Sequence, residues 1–307
     1  MGSRSLPNII NFYESENSTI LDRLKDIFNH GALKGSGKII ISAVDQGFEH
    51  GPTRSFGMNL QAFDPHYHYE LAIEAGLSAF AAPLGLLEAG SSTFKRKIPT
   101  ILKMNSGNSL VGLEHPDQAL TASVADALRL GCHGIGLTFY PGSNYSYSMI
   151  EKIQQVSQEA RKAGLFVVIW SYPRGNMSKE GETALDVVSY GAHMACLLGA
   201  HIVKVKIPSA HLEKKVDKET IERNGIPIEN LSDRIRYVVR SCFNGRRIVI
   251  FSGGDTKGES DLLREVEGIN QGGGFGSIVG RNFFQRPRQE SLSLIEKIVE
   301  IYKKDEE

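Results

Sequence analysis

The stretch His201-Ile202-Val203-Lys204-Val205-Lys206-Ile207-Pro208 decides the fold, because it places two lysines inside a run of apolar β-branched residues. On a β-strand, residues two apart point to the same face of the sheet. Lys204 and Lys206 are therefore predicted to project together, while the apolar residues between them pack on the opposite face. The pattern predicts a strand with one apolar face and one face that carries amines.

These two lysines also indicate a type of chemistry. A lysine held in a partly desolvated pocket beside a second cation loses basicity, because both effects penalise its charged form. Such an amine is partly neutral at physiological pH and can attack a carbonyl carbon. We therefore predict a Schiff-base enzyme in which one lysine is the nucleophile. On this pattern alone, the alternative is a solvated edge strand or a contact at the rim of a sheet.

Strand-like runs alternate with helical patterns on both sides of this stretch, as in repeated βα units around a parallel sheet. Eight strands are predicted, at residues 38–44, 78–82, 99–104, 134–139, 165–170, 201–207, 247–251 and 276–279. The intervening helices are predicted at residues 65–75, 84–94, 117–130, 145–163, 181–198, 231–242, 259–270 and 289–302. Eight such units predict an α/β fold with a single closed (β/α)₈ TIM barrel rather than an open Rossmann sheet.

The length of 307 residues fits one large barrel domain. We predict that the barrel covers residues 38–307 and that residues 1–37 form an N-terminal helical extension. The polar stretch 209–230 is predicted to be an insertion after the sixth strand. The stretch Gly35-Ser36-Gly37-Lys38 does not fit a P-loop, because it precedes a strand where a P-loop must follow one.

The composition excludes several classes of protein. The 35 Lys and Arg residues balance 35 Asp and Glu residues, which argues against a general affinity for nucleic acid or an anionic membrane. No apolar run approaches the ~18 residues that span a bilayer. Cys132, Cys196 and Cys242 lie far apart without a CxxC pair, so neither a zinc knuckle nor a disulfide framework is expected. A cytoplasmic protein fits these features best.

Polar residues follow several predicted strands, which is where barrel enzymes place their working groups. Asp45 follows the first strand, Lys103 ends the third, and Trp170, Tyr172 and Arg174 lie at the end of the fifth. An aspartate in this position can be a mere helix cap or turn former. Its convergence with a lysine and a tyrosine from other strands favours catalysis.

The last two strands indicate a phosphate site. They end in Phe251-Ser252-Gly253-Gly254-Asp255-Thr256 and Val279-Gly280-Arg281-Asn282, where small residues let backbone N–H groups approach an anion. Barrels often hold a phosphate after these two strands. Arg281 can add a charge-assisted hydrogen bond. The alternative is two tight turns, since glycine is common at strand ends.

Six motifs, in this order and spacing, resemble the class I fructose-bisphosphate aldolases of the archaeal and bacterial type: DQGFEHGP, LKMN, WSYPRG, IVKVKIP, FSGG and GRNFFQRP. The resemblance implies reversible cleavage of fructose 1,6-bisphosphate to dihydroxyacetone phosphate and glyceraldehyde 3-phosphate, with no metal or other cofactor. It also implies a high-order homo-oligomer, an octamer to decamer built of rings. The stretch 209–230 and Lys206 depart from the shorter archaeal members, which leaves the second phosphate site open.

The resemblance also assigns roles to residues. The Schiff-base lysine falls on Lys204 rather than Lys206, the catalytic tyrosine on Tyr172, the active-site aspartate on Asp45 and the pocket tryptophan on Trp170. The loops that bind the C1 phosphate fall on Ser252, Gly253, Gly254, Gly280 and Arg281.

Three further residues are expected to contribute through their charge. Lys103 and Arg174 are candidates for contacts with phosphate or hydroxyl groups. Lys206 is expected to be the cation that lowers the basicity of Lys204.

Other functions are compatible with the same fold. A related enzyme could run Schiff-base or thiolytic chemistry on another phosphorylated sugar, or the barrel could bind a sugar phosphate without turnover. Zinc-assisted aldol cleavage would use His50, His66 and His68 as ligands. The last two lie two residues apart at the start of a predicted helix, where their side chains face apart.

Overall fold

The computed structural model describes residues 5–111, 115–253 and 258–304. Its main sheet is a closed barrel of eight parallel strands, and the last strand pairs with the first. This confirms the predicted (β/α)₈ barrel. In chain order, the barrel strands are β1 Ile39–Ala43, β2 Ala79–Pro83, β3 Thr100–Lys103, β4 Gly134–Phe139, β5 Phe166–Ser171, β6 Ile202–Lys206, β7 Ile248–Ser252 and β8 Gly276–Val279.

The helices surround the barrel and cover one of its ends. The described α-helices are Leu6–Ile10, Ser18–Phe28, Gln46–His50, Pro52–Phe56, Pro65–Glu74, Leu84–Gly90, Val124–Arg129, Ser146–Lys162, Leu185–Leu197, Lys215–Arg223, Leu231–Ser241, Glu259–Gln271, Arg281–Phe284 and Arg288–Lys303. Short 3₁₀ turns lie at Asn11–Tyr13, Leu60–Phe63 and Gly181–Thr183. No described helix combines the length and the apolar character that a membrane span requires.

Residues alternate between the barrel interior and the helical layer along β6. Ile202 and the residues facing it on neighbouring strands belong to the interior cluster, whereas Val203 and Val205 pack with the surrounding helices. Lys204 therefore projects into the barrel, and Lys206 follows on the same side. The prediction that the two lysines share a face is confirmed.

The predicted helix at residues 117–130 is wrong over its first half. Ala119–Leu120 pairs antiparallel with Asn105–Ser106, and the helix begins only at Val124. The Ser123 side chain accepts from the backbone N–H of Asp126, whose carboxylate accepts in return from the backbone of Ser123. A capping box marks the start of a helix, but the predicted helix at 117–130 has these residues in its interior.

Two short helices after β1 were not predicted. Gln46–His50 and Pro52–Phe56 are separated by Gly51, which has a φ of 78°. A proline at the first position of the second helix fixes the turn between them. The predicted insertion at 209–230 likewise contains a helix, Lys215–Arg223.

The N-terminal segment covers the end of the barrel where the strands begin. Ile9, Ile20 and Leu24 are fully buried in the interior cluster that includes the first residues of several strands. The Tyr13 hydroxyl donates to the carbonyl oxygen of His201 and accepts from the backbone N–H of Ile248 at 3.2 Å. One side chain of this segment thus bridges the starts of β6 and β7.

Candidate active site

A cavity of about 120 Å³ opens at the carboxyl ends of the barrel strands. It gathers residues from motifs that lie far apart in the sequence, because the strands carrying them are closed into one ring. The predicted site residues that line it are Asp45, Tyr172, Arg174, Lys204, Lys206, Ser252, Gly253, Gly280 and Arg281. Trp170 and Lys103 are buried next to this cavity and do not line it. Gly254 lies outside the described residues.

Lys204 is the buried amine at the centre of the site. Only 5% of the residue is exposed, and its Nζ lies 5.3 Å from the ring centroid of Trp170 and 5.2 Å from that of Tyr172. Burial lowers the pKa of Lys204 to about 8, while the charge of Asp45 raises it and that of Lys103 lowers it. The amine is therefore partly neutral near pH 8, as a nucleophile at a carbonyl carbon requires.

The structure corrects the identity of the cation beside Lys204. We expected Lys206 in this role, but its Nζ lies 3.0 Å from Oε2 of Glu182 and is paired with that carboxylate. Lys103, at the end of β3, is the lysine whose charge lowers the pKa of Lys204. Lys103 and Lys204 influence each other across the barrel interior, from two different strands. The spacing of residues within one motif cannot reveal such a pair.

Lys103 has its own partners inside the protein. Its amine donates to the backbone oxygen of Asn105 and, at 3.1 Å, to Oδ1 of the same residue. Its Nζ also lies 5.7 Å from the ring centroid of Trp170. Burial lowers the pKa of Lys103 to about 8, against the charges of Asp45 and Glu49, which raise it.

The indole of Trp170 fits under the two lysines because β4 carries a glycine beside it. A Cβ atom on Gly136 would lie 1.8 Å from Cζ3 of Trp170, which no structure accommodates without a shift. Gly136 is part of the barrel interior next to β5, the strand that bears the tryptophan. The glycine thus makes room for the aromatic surface against which Lys204 rests.

Tyr172 and Asp45 supply a proton donor and a carboxylate to the cavity. Burial and the charge of Asp45 raise the pKa of the Tyr172 phenol above its ordinary value, while its hydrogen bond to Ser252 lowers it. The phenol therefore stays protonated at physiological pH. Asp45 precedes the helix Gln46–His50, yet its side chain makes no capping hydrogen bond there. The cap interpretation of Asp45 is thus not supported.

The ends of β7 and β8 form one wall of the cavity, as the sequence predicts for a phosphate site. Ser252 and Gly253 contribute from β7, and Gly280 and Arg281 from β8. A Cβ atom on Gly280 would lie 2.8 Å from Nε2 of Gln46, so a side chain at this position would disturb the wall.

Some cavity residues were not singled out from the sequence. Gln46 and Glu49 line the cavity from the short helix after β1, and Asn282 does so from the helix after β8. Glu49 accepts a hydrogen bond at 2.9 Å from Arg174. The signal was present, because these residues belong to the motifs DQGFEHGP and GRNFFQRP.

The three histidines considered as zinc ligands do not converge. His50 lines the cavity, whereas Nε2 of His66 lies 2.9 Å from the Ala89 oxygen and Nε2 of His68 lies 2.8 Å from the Ala62 oxygen. Across residues 5–111, 115–253 and 258–304, no three His, Cys, Asp or Glu side chains are placed to hold a metal ion together.

A barrel that buries a lysine of depressed pKa at the end of its sixth strand defines a Schiff-base type of site. The chain belongs to the DeoC/LacD aldolase family, whose family model matches residues 39–286. A probable class 1 fructose-bisphosphate aldolase of Chlamydia muridarum is 35% identical over 303 residues, which cover 95% of this chain and 87% of the relative. The class 1 fructose-bisphosphate aldolase of Thermoproteus tenax is 36% identical over 251 residues, with coverage of 81% and 84%.

A solved structure of similar fold carries a covalent intermediate. It is an archaeal fructose-1,6-bisphosphate aldolase with its catalytic lysine covalently bound to the carbinolamine intermediate of the substrate. Its TM-score is 0.74 and its identity 31%, over 91% of this chain and 98% of that chain. The similarity extends over nearly the whole barrel.

Proposed function

We propose that the chain is a class I aldolase that reversibly cleaves fructose 1,6-bisphosphate into dihydroxyacetone phosphate and glyceraldehyde 3-phosphate. The observation that carries this function is the buried amine of Lys204, with its pKa lowered to about 8, in a cavity shared with Tyr172 and Asp45. The family and the named relatives support the same activity.

In this mechanism, Lys204 attacks the C2 ketone, and loss of water leaves an iminium whose positive charge draws electrons from the C3–C4 bond. The bond breaks as the C4 hydroxyl loses its proton, and the aldehyde product leaves. Tyr172 carries protons to the carbinolamine hydroxyl and to C3 of the enamine. Asp45 orients the substrate hydroxyls and stabilises the iminium. Water then hydrolyses the iminium and releases dihydroxyacetone phosphate.

The C1 phosphate is assigned to the wall formed by β7 and β8. Backbone N–H groups at Ser252, Gly253 and Gly280 would surround the anion, with Gly254 as a further group of the same loop, and Arg281 would add a charged donor. Ser252, Gly253, Gly280 and Arg281 line the cavity on the side next to Tyr172. Gly254 lies outside the described residues. Trp170 supports the nucleophile through contact with its amine.

Borohydride trapping tests the assignment of the nucleophile. Treatment with dihydroxyacetone phosphate and borohydride, followed by peptide mass mapping, is expected to place the reduced adduct on Lys204. Lys204→Met should abolish trapping and cleavage, because packing cannot replace a covalent route. Lys206→Met is the matched control on the same strand face and should still be trapped. An adduct on Lys206, or trapping that persists in Lys204→Met, would reverse the assignment.

The reaction needs neither a metal nor another cofactor in this proposal, so full activity in a strong chelator is expected. Residues 38–307 would act as one catalytic domain, with residues 1–37 as its extension. We also propose a high-order homo-oligomer, an octamer to decamer, in the cytoplasm. Exposed apolar side chains such as Met58 and Leu60 support self-association, and light scattering measures the assembly directly.

A further inference from the structure

Two buried lysines, Lys103 on β3 and Lys204 on β6, rest against the same indole. Their Nζ atoms lie 5.7 Å and 5.3 Å from the ring centroid of Trp170. Two ammonium ions beside one ring repel each other, so the first proton leaves the amine whose charged form is less stabilised. The surroundings of each amine therefore decide which of the two becomes neutral first.

The amine of Lys103 has two oxygen acceptors, and both belong to Asn105. It donates to the backbone oxygen of Asn105 and, at 3.1 Å, to Oδ1 of the same residue. A hydrogen bond with a charged donor is roughly twice as strong as one between neutral groups. These two contacts therefore stabilise the ammonium form of Lys103 more than its neutral form.

Asn105 is itself held in one orientation by β4. Its Oδ1 accepts from the backbone N–H of Thr138 at 2.7 Å, and its Nδ2 donates to the carbonyl oxygen of Thr138 at 2.8 Å. A flipped amide would set donor against donor and acceptor against acceptor, so Oδ1 stays available to Lys103. The backbone is fixed as well, because Asn105–Ser106 pairs antiparallel with Ala119–Leu120.

The amine of Lys204 lacks acceptors of this kind. Within residues 5–111, 115–253 and 258–304, it donates no hydrogen bond and forms no ion pair, and its contacts are the rings of Trp170 and Tyr172. An aromatic face attracts an ammonium ion, but Trp170 does so for both amines. Hydrogen bonding thus favours Lys103 as the charged member of the pair.

The carboxylates near the two amines do not distinguish them. Burial lowers the pKa of both Lys103 and Lys204, and the charges of Asp45 and Glu49 raise both. The phenol of Tyr172 is protonated at physiological pH and brings no charge. The other charged or titratable residues described in the cavity wall are His50, Arg174, Lys206 and Arg281, of which Arg174 is paired with Glu49 and Lys206 with Glu182.

We propose that Asn105 is a positioning residue that keeps the positive charge on Lys103 and thereby leaves Lys204 as the neutral amine that attacks the carbonyl carbon. Asn105 acts through Lys103 and is not among the described residues that line the catalytic cavity. The inference rests on the proposed function, because it concerns how the nucleophile of that reaction is prepared.

Asn105→Leu tests this role, because it keeps the approximate size of the side chain and removes Oδ1. Lys103 should then release its proton more readily, and Lys204 should keep its own to higher pH. We expect the acidic limb of kcat/KM against pH to move upward by about one pH unit. Borohydride trapping with dihydroxyacetone phosphate at neutral pH should become about tenfold slower.

Asn270→Leu is the matched control. Its Nδ2 donates to the carbonyl oxygen of Ile301 at 2.9 Å, which joins two helices outside the barrel. The variant loses an amide that bonds to the backbone, as Asn105→Leu does, but no lysine is involved. The acidic limb and the trapping rate should therefore equal those of the wild type.

A double variant separates an effect through Lys103 from a loss of packing. The charge is absent in Lys103→Met, so adding Asn105→Leu to it should move the acidic limb no further. A purely structural role would lower kcat in both backgrounds and leave the limb in place. An unmoved limb in Asn105→Leu, or a further shift of the same size in the double variant, would overturn the inference.

The wild type keeps the test decisive if Asn105→Leu is not recovered folded. With ¹³C at Cε of lysine, NMR follows the titration of each amine, and Lys103→Met and Lys204→Met assign the two signals. Lys204 should lose its proton first, and the opposite order would contradict the role of Asn105. Absence of a borohydride adduct in the wild type would count against the proposed function instead, because the order of titration does not depend on the substrate.

Discussion

Burial has opposite effects on the pKa values of two neighbouring groups, Lys204 on β6 and Tyr172 just after β5. It lowers the pKa of Lys204 to about 8 and raises the pKa of the Tyr172 phenol, because in each case the charged form is penalised. For the amine the favoured form is the nucleophile, and for the phenol it is the proton donor. A single physical cause therefore prepares both partners of an acid–base pair at the same pH.

Tyr172→Phe tests the proton transfer. The substitution keeps the ring that lies 5.2 Å from the Lys204 amine and removes only the hydroxyl. We expect kcat to fall by about 10²–10⁴-fold, with KM and the thermal unfolding curve little changed. Steady-state kinetics on the purified variant measure this directly, and turnover near the wild-type value would show that another group transfers the proton.

Lys103→Met tests the origin of the low pKa of Lys204. Only the neutral amine is a nucleophile, so kcat/KM should rise with pH through about 8, the pKa of Lys204. Loss of the Lys103 charge removes one cause of the lowered pKa, while the attraction of Asp45 remains. The acidic limb of the pH profile should therefore move to higher pH.

Lys206→Met is the control for this shift, because its amine is paired with Glu182. Its pH limb should stay close to that of the wild type. If the acidic limb of the pH profile moved in Lys206→Met and stayed in place in Lys103→Met, Lys206 would be the cation that lowers the pKa of Lys204, as expected from the sequence alone.

At the scale of single elements, the sequence predicts what one strand or one loop determines by itself. The alternation in β6 predicts that Lys204 and Lys206 share a face, and the glycines after β7 and β8 predict a wall that backbone groups can form. The proximity of Lys103 to Lys204 depends on side chains that meet across the closed barrel, from strands that are not neighbours. No spacing along the chain carries that information.

The same limit explains the errors in the helices. The pairing of Ala119–Leu120 with Asn105–Ser106 replaces half of a predicted helix, because a contact between distant segments outweighs local preference. The ion pair of Glu49 with Arg174 likewise joins the loops after β1 and β5. Local sequence patterns predict the positions of the strands well, because every barrel strand is buried and therefore apolar, whichever strands lie next to it.

Gly136→Ala tests the fit of β4 against β5. The added methyl group would lie 1.8 Å from Trp170, so the indole or the strand must move. We expect the free energy of unfolding to fall by about 1–3 kcal/mol, the range for overpacked cores, and kcat to fall because the amine of Lys204 rests on this indole.

Gly85→Ala is the matched control for this substitution. Gly85 lies in the helix Leu84–Gly90, and a Cβ atom there would meet nothing within 4 Å. That variant should be neutral or more stable by up to about 1 kcal/mol. Chemical denaturation of both variants gives the comparison, and equal stabilities would show that the barrel interior adapts without cost.

At the scale of the whole molecule, the buried amine of Lys204 should lower the stability of the fold. The pKa of Lys204 drops from 10.5 to about 8 on folding. Below pH 8 the amine is charged in both states, and the folded state bears the full penalty of about 3 kcal/mol. As the pH rises from 8 to 10.5, the folded protein loses the proton first and the penalty disappears.

Lys204→Met should therefore be more stable than the wild type at neutral pH. The difference in free energy of unfolding should shrink as the pH rises from 8 towards and past 10.5, because above 10.5 the wild-type amine is neutral in both states. Denaturation curves of the two proteins at several pH values measure this difference. A gap that does not depend on pH would show that the gain comes from packing alone.

The N-terminal segment, which covers the end of the barrel where the strands begin, can be buried only after the strands have been made. Ile9, Ile20 and Leu24 leave the ribosome before the barrel strands, yet the surface that buries them includes Ile202 and Ile248, which are synthesised much later. Chains emerge over seconds, so the apolar faces of the first helices remain in water until the last strands are made. These helices are made before the strands and are buried only after them, and the interval between is the period when the nascent protein is most exposed to aggregation.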